Sequence, residues 1–205
     1  CIDGGGSVAL TSDAGTPLLS APGYKLLRYA HKCGWKVVPI PGASALIAAL
    51  SVAGLATDRF RFEGFLPAKQ GARCSALEAL AQVGNTLVFY EAPHRIIESL
   101  QDMESVFGAD RLAVVARELT KAFETLLRAP LGELVETVQA DSNQTRGEFV
   151  VLVEGAAEQE REITAEVEKL LLLLAAELPP RKAAAIAAQV SGVRKKALYE
   201  YLLNR

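Results

Sequence analysis

Apolar and polar positions change rhythm twice along the chain, and each rhythm predicts a different kind of structure. In the first stretch short apolar runs alternate with helical patterns. Val8–Thr11 reads as a buried strand, Pro22–Cys33 as a helix closed by Gly34, and Trp35–Ile40 as the next strand. A further helix opens at Pro41-Gly42-Ala43-Ser44-Ala45, runs through Ala53 and stops at Gly54. Strand, loop and helix, repeated, is the order of a parallel sheet with crossover helices. After Thr57-Asp58 the texture changes. Arg59–Phe65 alternates with period two and predicts a half-buried strand. Ala72–Val83 predicts a helix, Thr86–Tyr90 a buried strand, Leu112–Arg117 a strand, Leu131–Gln139 a helix and Glu148–Glu154 the last strand. Pro93–Phe107 carries an apolar stripe at Ile96, Ile97, Leu100, Met103 and Phe107, with Pro93 near its start and Gly108 past its end, as a helix requires.

From Ala156 the pattern is helical only. Thr164–Leu178, Arg181–Val190 and Arg194–Leu203 are predicted helices, broken by Pro179-Pro180 and by the turn Ser191-Gly192-Val193. Thr164, with Val167 following, is the expected capped start of the first. The predicted organisation is therefore α/β in two parts with a helical end. Residues 1–57 belong to a parallel α/β domain, residues 58–155 to a mixed and more antiparallel one, and residues 156–205 to a small helical region, basic from residue 179. A domain rarely enters a buried strand so soon, so a further amino-terminal segment is expected ahead of Cys1.

Composition narrows this picture. Half of the 205 residues are apolar, enough for a substantial core, and disorder is not the default. Lys and Arg (22) nearly balance Asp and Glu (24), which excludes a generally basic coat but not a local patch. Such a patch exists. Residues 156–178 carry six glutamates against Arg161 and Lys169, whereas residues 179–205 set Arg181, Lys182, Arg194, Lys195, Lys196 and Arg205 against Glu200 alone. Two helices joined by a short glycine-bearing turn, the second with a basic start, outline a helix-turn-helix, and the charge reversal points to an anionic partner, most simply nucleic acid. A small bundle with solvated lysines is the other reading. Cys1, Cys33 and Cys74 have no metal-binding spacing and form no even set, which suits a reducing cytoplasm. The apolar run Leu170–Ala176 is far short of the roughly 20 residues a membrane span needs, so no membrane partner is expected.

Several chemistries are excluded by pattern. There is no phosphate-binding G-x-x-x-x-G-K-[ST] and no G-x-G-x-x-G, and Gly4-Gly5-Gly6 precedes a predicted strand instead of following one. Ser44 lies at a strand-to-helix turn but lacks the second glycine of a nucleophile elbow. Only two histidines occur, His31 and His94, without a metal or nucleophile pattern. What remains is a set of strand-end loops: Asp13–Pro17, Pro41–Ala45, Glu91–Arg95 and Glu118–Lys121. Ligands bind in open α/β sheets where strands end in such loops. In the first, Gly15 permits close backbone approach, Pro17 stiffens the loop and Asp13 accepts hydrogen bonds; an ordinary turn with Asp or Thr as a cap is the plainer alternative.

Six blocks taken together resemble one family: Ser12–Pro17, Val38–Ala49, Asp58–Pro67, Leu87–Arg95, Arg117–Thr125 and Gly147–Glu154. In this order they are similar to the small-subunit ribosomal RNA methyltransferase I family, within the tetrapyrrole methylase superfamily. The resemblance implies a two-domain tetrapyrrole-methylase fold with part of the amino-terminal side absent, S-adenosylmethionine as cofactor, 2′-O-methylation of a cytidine in small-subunit (16S) ribosomal RNA, and a homodimer working on the 30S subunit. By motif it implies that Asp13, Ala14, Gly15, Thr16 and Pro17 line the methionine or ribose side of the cofactor. Ser44 and Ala45 would contact it too, and Tyr90 and Glu91 would close the adenine side with Glu148 near. The superfamily's more usual Gly-Asp-Pro loop stands here as Asp-Ala-Gly-Thr-Pro, which weakens a tetrapyrrole substrate.

Methyl transfer from a sulfonium needs alignment, a base for the hydroxyl proton and a nearby cation, but no metal. Arg117, Glu118, Lys121 and Glu124 are the catalytic candidates, with Lys121 and Glu124 on one face if the segment is helical; a surface salt-bridge cluster is the alternative. His94 and Arg95 are candidates for RNA phosphate or for a structural helix start. A corrin or porphyrin methylase, and a non-catalytic RNA-binding or dimerisation module, are the rival functions.

Overall fold

A computed structural model describes residues 2–12, 15–20, 22–157 and 162–204. The chain divides into two compact units, Cys1–Ala156 and Ala157–Arg205.

The first unit is organised by a five-stranded sheet of β1 (Phe60–Phe65), β2 (Thr86–Glu91), β3 (Leu112–Arg117), β4 (Thr125–Pro130) and β5 (Phe149–Val153), in the spatial order β1-β2-β5-β3-β4. Only β1 and β2 are parallel; the other three pairings are antiparallel. The mixed, more antiparallel character expected of residues 58–155 is what forms. Every residue of β5 is buried, because both faces of this central strand are covered. Alternate residues part to the two sides. Leu87, Phe89, Ala113, Val115, Val151 and Val153 pack against helices α3 (Gln70–Glu78), α4 (Ile96–Phe107) and α5 (Leu131–Ala140). Val88, Val114, Ala116, Val150 and Leu152 meet Leu46, Ala49 and Leu50 of α2 (Ala45–Val52).

The amino-terminal stretch departs from expectation. Helix α1 (Tyr24–Lys32) forms within Pro22–Cys33, and α2 forms within the second predicted helix. Val8–Thr11 and Trp35–Ile40, however, pair with no strand among the described residues. Their apolar side chains lie open, with Val8 at 62% and Ile40 at 84% exposure. β-propensity makes an extended segment; a strand also needs a neighbouring backbone to bond. Trp35 anchors this stretch, its Nε1 donating to Asp3 Oδ1 (3.1 Å) and its N donating to Ala30 O (3.0 Å).

The second unit is a three-helix cluster of α6 (Ala165–Glu177), α7 (Pro180–Ser191) and α8 (Lys195–Leu203). Its core is Leu171, Ala184, Ala187, Val193 and Leu198. Thr164 caps α6 through its side chain, which accepts from Val167 N. Gly192 takes the left-handed conformation (φ 72°) that ends α7 and lets the chain turn into α8. Of the leucine run 170–174 only Leu171 is buried, and Leu173 is 63% exposed, since a single helix turns most of five consecutive positions away from one core. No helix among the described residues is long and apolar enough to cross a membrane.

Candidate functional site

Strand register gathers the sequence candidates at one edge of the sheet. Arg117 at the end of β3 pairs with Thr125 at the start of β4 and with Phe149 at the start of β5. Phe149 also pairs with Glu91 at the end of β2, and Phe65 at the end of β1 pairs with Tyr90. Three strand ends and two strand starts therefore share an edge. Tyr90 and Ala116 face Val150 from either side, so they lie about 10 Å apart at ordinary strand spacing.

On one side of this edge the amino-terminal loops come together. Asp13 and Ala14 lie outside the described residues. Gly15 is left-handed (φ 68°), and Thr16 Oγ1 donates to Ala43 O at 3.0 Å, joining the loop at 15–17 to the loop before α2. The Tyr90 hydroxyl accepts from Leu46 N at 3.3 Å and so fixes the first turn of α2 to β2. Ser44 occupies the N-cap position of α2, yet its side chain makes no capping bond. Its Oγ is buried and has no partner among the described residues. A buried hydroxyl without a partner is costly unless something else satisfies it. Thr16, Ser44, Ala45 and Tyr90 thus converge, with one polar atom held in reserve.

On the other side lies an ion-pair knot. Lys121 Nζ donates to Glu118 Oε1 and to Glu148 Oε2, both at 2.8 Å, and Glu118 Oε1 also accepts from Glu148 N at 2.9 Å. Glu148, which the resemblance places near the cofactor, joins this knot because it immediately precedes β5, next to the end of β3. These bonds to Lys121 and to the Glu148 amide hold the Glu118 carboxyl below its usual range. The same two carboxylates raise Lys121 above the ordinary lysine range. Lys121 is therefore a fixed cation and not a base at neutral pH.

The segment between β3 and β4 is not helical. Glu118 (φ 50°) and Thr120 (φ 64°) are left-handed, which breaks a helix, and Glu124 Oε2 accepts from Thr120 N at 2.6 Å. Lys121 and Glu124 consequently share a tight turn instead of a helix face, and the Glu124 carboxylate is spent holding it. Arg117 spans the sheet edge, donating from Nη1 to Arg146 O (3.3 Å) and from Nη2 to Thr125 Oγ1 (2.9 Å). A cavity of about 460 Å³ adjoins, lined by Arg117, Glu118, Phe123, Asn143, Arg146 and Gly147. Phe123, Asn143 and Arg146 were not legible as site residues in the sequence; the polar run 142–147 ahead of β5 was the available signal. Gly147 sits at φ 99°, and a Cβ there would lie 2.5 Å from the Glu118 side chain. Gly147→Ala is expected to cost about 1–3 kcal/mol through backbone strain and to displace Glu118. Thermal melting checks this, and an unchanged midpoint would show that the neighbours yield freely.

Glu91 and Arg95 are committed to each other. Glu91, 3% exposed, accepts at Oε1 from Arg95 Nη2 (2.6 Å), Arg95 Nε (3.0 Å) and Ala92 N (2.7 Å), and at Oε2 from Ser99 Oγ (2.6 Å). Arg95 Nη1 reaches Leu66 O (3.2 Å), so the pair ties the end of β2 to the segment after β1. Both charged groups are engaged by these bonds within the protein. His94 is exposed beside them in a short 3-10 turn.

In the second unit Arg181, Lys182, Arg194, Lys195 and Lys196 are exposed. Arg181 and Lys182 open α7, and Arg194 to Lys196 open α8, with no acid in either first turn. A helix start already carries partial positive charge, so this placement opposes the dipole and builds anion-attracting ends.

Residues 2–135 match the Tetrapyrrole (Corrin/Porphyrin) Methylases, and residues 161–205 match the RsmI C-terminal HTH domain. A ribosomal RNA small subunit methyltransferase I of Pseudomonas aeruginosa is 59% identical over 206 aligned residues, covering 100% of this chain and 73% of that protein. The enzyme of the same name from Escherichia coli O157:H7 is 51% identical, covering 98% of this chain and 70% of that protein. Among solved structures, the methyltransferase CobJ superposes with a TM-score of 0.51 at 22% identity, covering 72% of this chain and 64% of that one. A diphthine synthase gives 0.52 at 16% identity, over 70% of this chain and 59% of that one. These two likenesses concern the fold.

Proposed function

The chain belongs to the ribosomal RNA small subunit methyltransferase I family of tetrapyrrole methylases, and from that premise we propose that it methylates the 2′-hydroxyl of a cytidine in small-subunit ribosomal RNA, with S-adenosylmethionine as donor. The observation that carries the reading is the Lys121 knot, a fixed cation between two carboxylates at the sheet edge that also bears Tyr90.

The cofactor fits the residues present. Gly15 to Pro17, Ser44, Ala45 and Tyr90 would hold it, and the buried, unpartnered Ser44 hydroxyl is the atom such a polar molecule would satisfy. When bound it supplies a methyl group activated on a positively charged sulfur. The remaining work falls to the chain. Glu148 is held by Lys121 through one carboxylate oxygen and its side chain is 70% exposed, so it is placed to take the proton of an incoming hydroxyl. The Lys121 cation then stabilises charge growing on that oxygen. Arg117, which ties together the starts of β4 and the 146–148 segment, keeps the groups in place, and alignment supplies much of the rate.

The helix starts of the second unit add the RNA contact. Lys195→Glu combined with Lys196→Glu is expected to weaken binding of small ribosomal subunits and to flatten the salt dependence by about one to two in slope. Binding measured across a salt series checks this, and an unaltered slope would mean that the lysines are only solvated. The homodimer that the family resemblance implies, and the cytoplasmic site that the cysteine pattern suits, belong to the same reading; light scattering on the purified chain tests the dimer.

Calorimetric titration with S-adenosylmethionine, followed by transfer of labelled methyl to unmethylated small subunits, tests the whole. Cofactor binding with label entering ribosomal RNA supports it. Absence of either sinks it, and cofactor-free RNA binding alone would favour a non-catalytic module.

A further inference from the structure

We propose that the cavity beside the Lys121 knot receives the nucleotide to be methylated, its base stacked on Phe123 and its phosphate held by Arg146. The proposal rests on RNA being the substrate and names which side chains grip it.

Phe123 is 74% exposed at the tip of the turn between β3 and β4. Single exposed apolar residues are common and mean little alone. This one lies on a cavity of about 460 Å³ shared with two guanidinium groups and an amide. The turn that carries it is held rigid. Two non-glycine residues stand in the left-handed region, Glu124 accepts from Thr120 N, and Lys121 N and Glu124 N donate to Glu118 O and Lys121 O. A ring kept exposed on a braced turn is a stacking platform for an unpaired base.

The polar lining fits the rest of a nucleotide. Arg146 is exposed and makes no ion pair among the described residues. Arg117 is fixed in plane by its two terminal nitrogens, while its Nε is buried and lacks a partner among the described residues. Asn143 is exposed, and its side-chain amide can donate and accept at a base edge. A flat face, a cation for phosphate and an amide for the edge are the features by which single-stranded RNA is recognised. Glu118 lines the cavity and also holds Lys121. A base seated there therefore brings its own ribose to the knot.

The test is photo-cross-linking of the full chain to a short single-stranded oligoribonucleotide containing 5-iodocytidine, without cofactor, mapped by mass spectrometry. The expected adduct is on Phe123, in the tryptic peptide from Ala122 to Arg128. Phe123→Ala is expected to reduce the yield in that peptide about 5- to 100-fold, while Phe123→Tyr retains it within about twofold. Arg146→Ala is expected to reduce it and to lower its salt dependence by about one in slope. Adducts confined to other peptides, such as the basic helix starts, would overturn the proposal, as would equal adduct yield with Phe123→Tyr and Phe123→Ala. Because no methyl is transferred, the cross-link is read independently of the catalytic reading. Methylation can fail while the Phe123 adduct stands, and the reverse.

Discussion

Lys121→Ala is expected to lower methyl transfer by about 100- to 1000-fold, the usual loss when one preorganised charge-stabilising donor is removed. Cofactor affinity should stay close to that of the parent, because the residues proposed to hold the cofactor are Thr16, Ser44, Ala45 and Tyr90, none of which bonds to Lys121. Lys121→Arg should recover only part of the rate. It keeps the charge, but the larger planar fork would meet Glu118 Oε1 and Glu148 Oε2 in a different geometry from the compact ammonium. The pH dependence follows from the same bonds. Lys121 is raised by its bonds to Glu118 and Glu148, so its paired state is fully present below the ordinary lysine value of about 10.4 and is lost as pH rises through the raised value. Glu118 is lowered by Lys121 and by the Glu148 amide, so its contribution is present above the ordinary value of about 4.3 and is lost as pH falls through the lowered one. Neither group should titrate near neutrality. Single-turnover rates against pH, with calorimetry for the cofactor, check both statements. A Lys121→Ala enzyme with parental rate would remove the cation from the chemistry.

Glu91→Ala is the largest stability effect expected. It leaves the Arg95 guanidinium, 15% exposed, without its carboxylate and strands the Ser99 hydroxyl. Breaking a buried pair in this way costs about 3–5 kcal/mol. For a unit of this size that is a drop in melting temperature of about 6–20 °C. The result separates two roles. A structural Glu91 gives a large loss of stability, whereas a side chain that only touched the cofactor would leave melting unchanged and weaken cofactor binding.

These two sites show where sequence reasoning reached and where it stopped. β2, β3 and β5 were legible because central strands with both faces covered must be apolar throughout, as Phe149–Val153 is. β4 was not read. Thr125–Pro130 is an edge strand with no fully buried residue and a proline at its end. The strands expected at Val8–Thr11 and Trp35–Ile40 carry the right residues, but apolarity cannot report whether a partner backbone lies alongside. Arg73 shows the same limit in the core. A charged residue of α3, it is nevertheless buried on Asp102 (2.6 Å), 29 positions away. The candidate site followed this rule. Arg117, Glu118 and Lys121 were visible as one run, while Asn143 and Arg146 reach them only because β3 and β5 pair in register. The charge reversal of the carboxyl-terminal helices was fully visible, since it needs no tertiary contact to be counted.

The proposed acceptor is a ribose hydroxyl brought to Lys121 and Glu148. Its most direct test is nucleoside mass spectrometry of small-subunit RNA after reaction with the full chain and S-adenosylmethionine. The added methyl group is expected on the ribose of a cytidine, and it is expected to disappear with Lys121→Ala. A methyl group on a base, or on any nucleoside with Lys121→Ala at the parental yield, would contradict it.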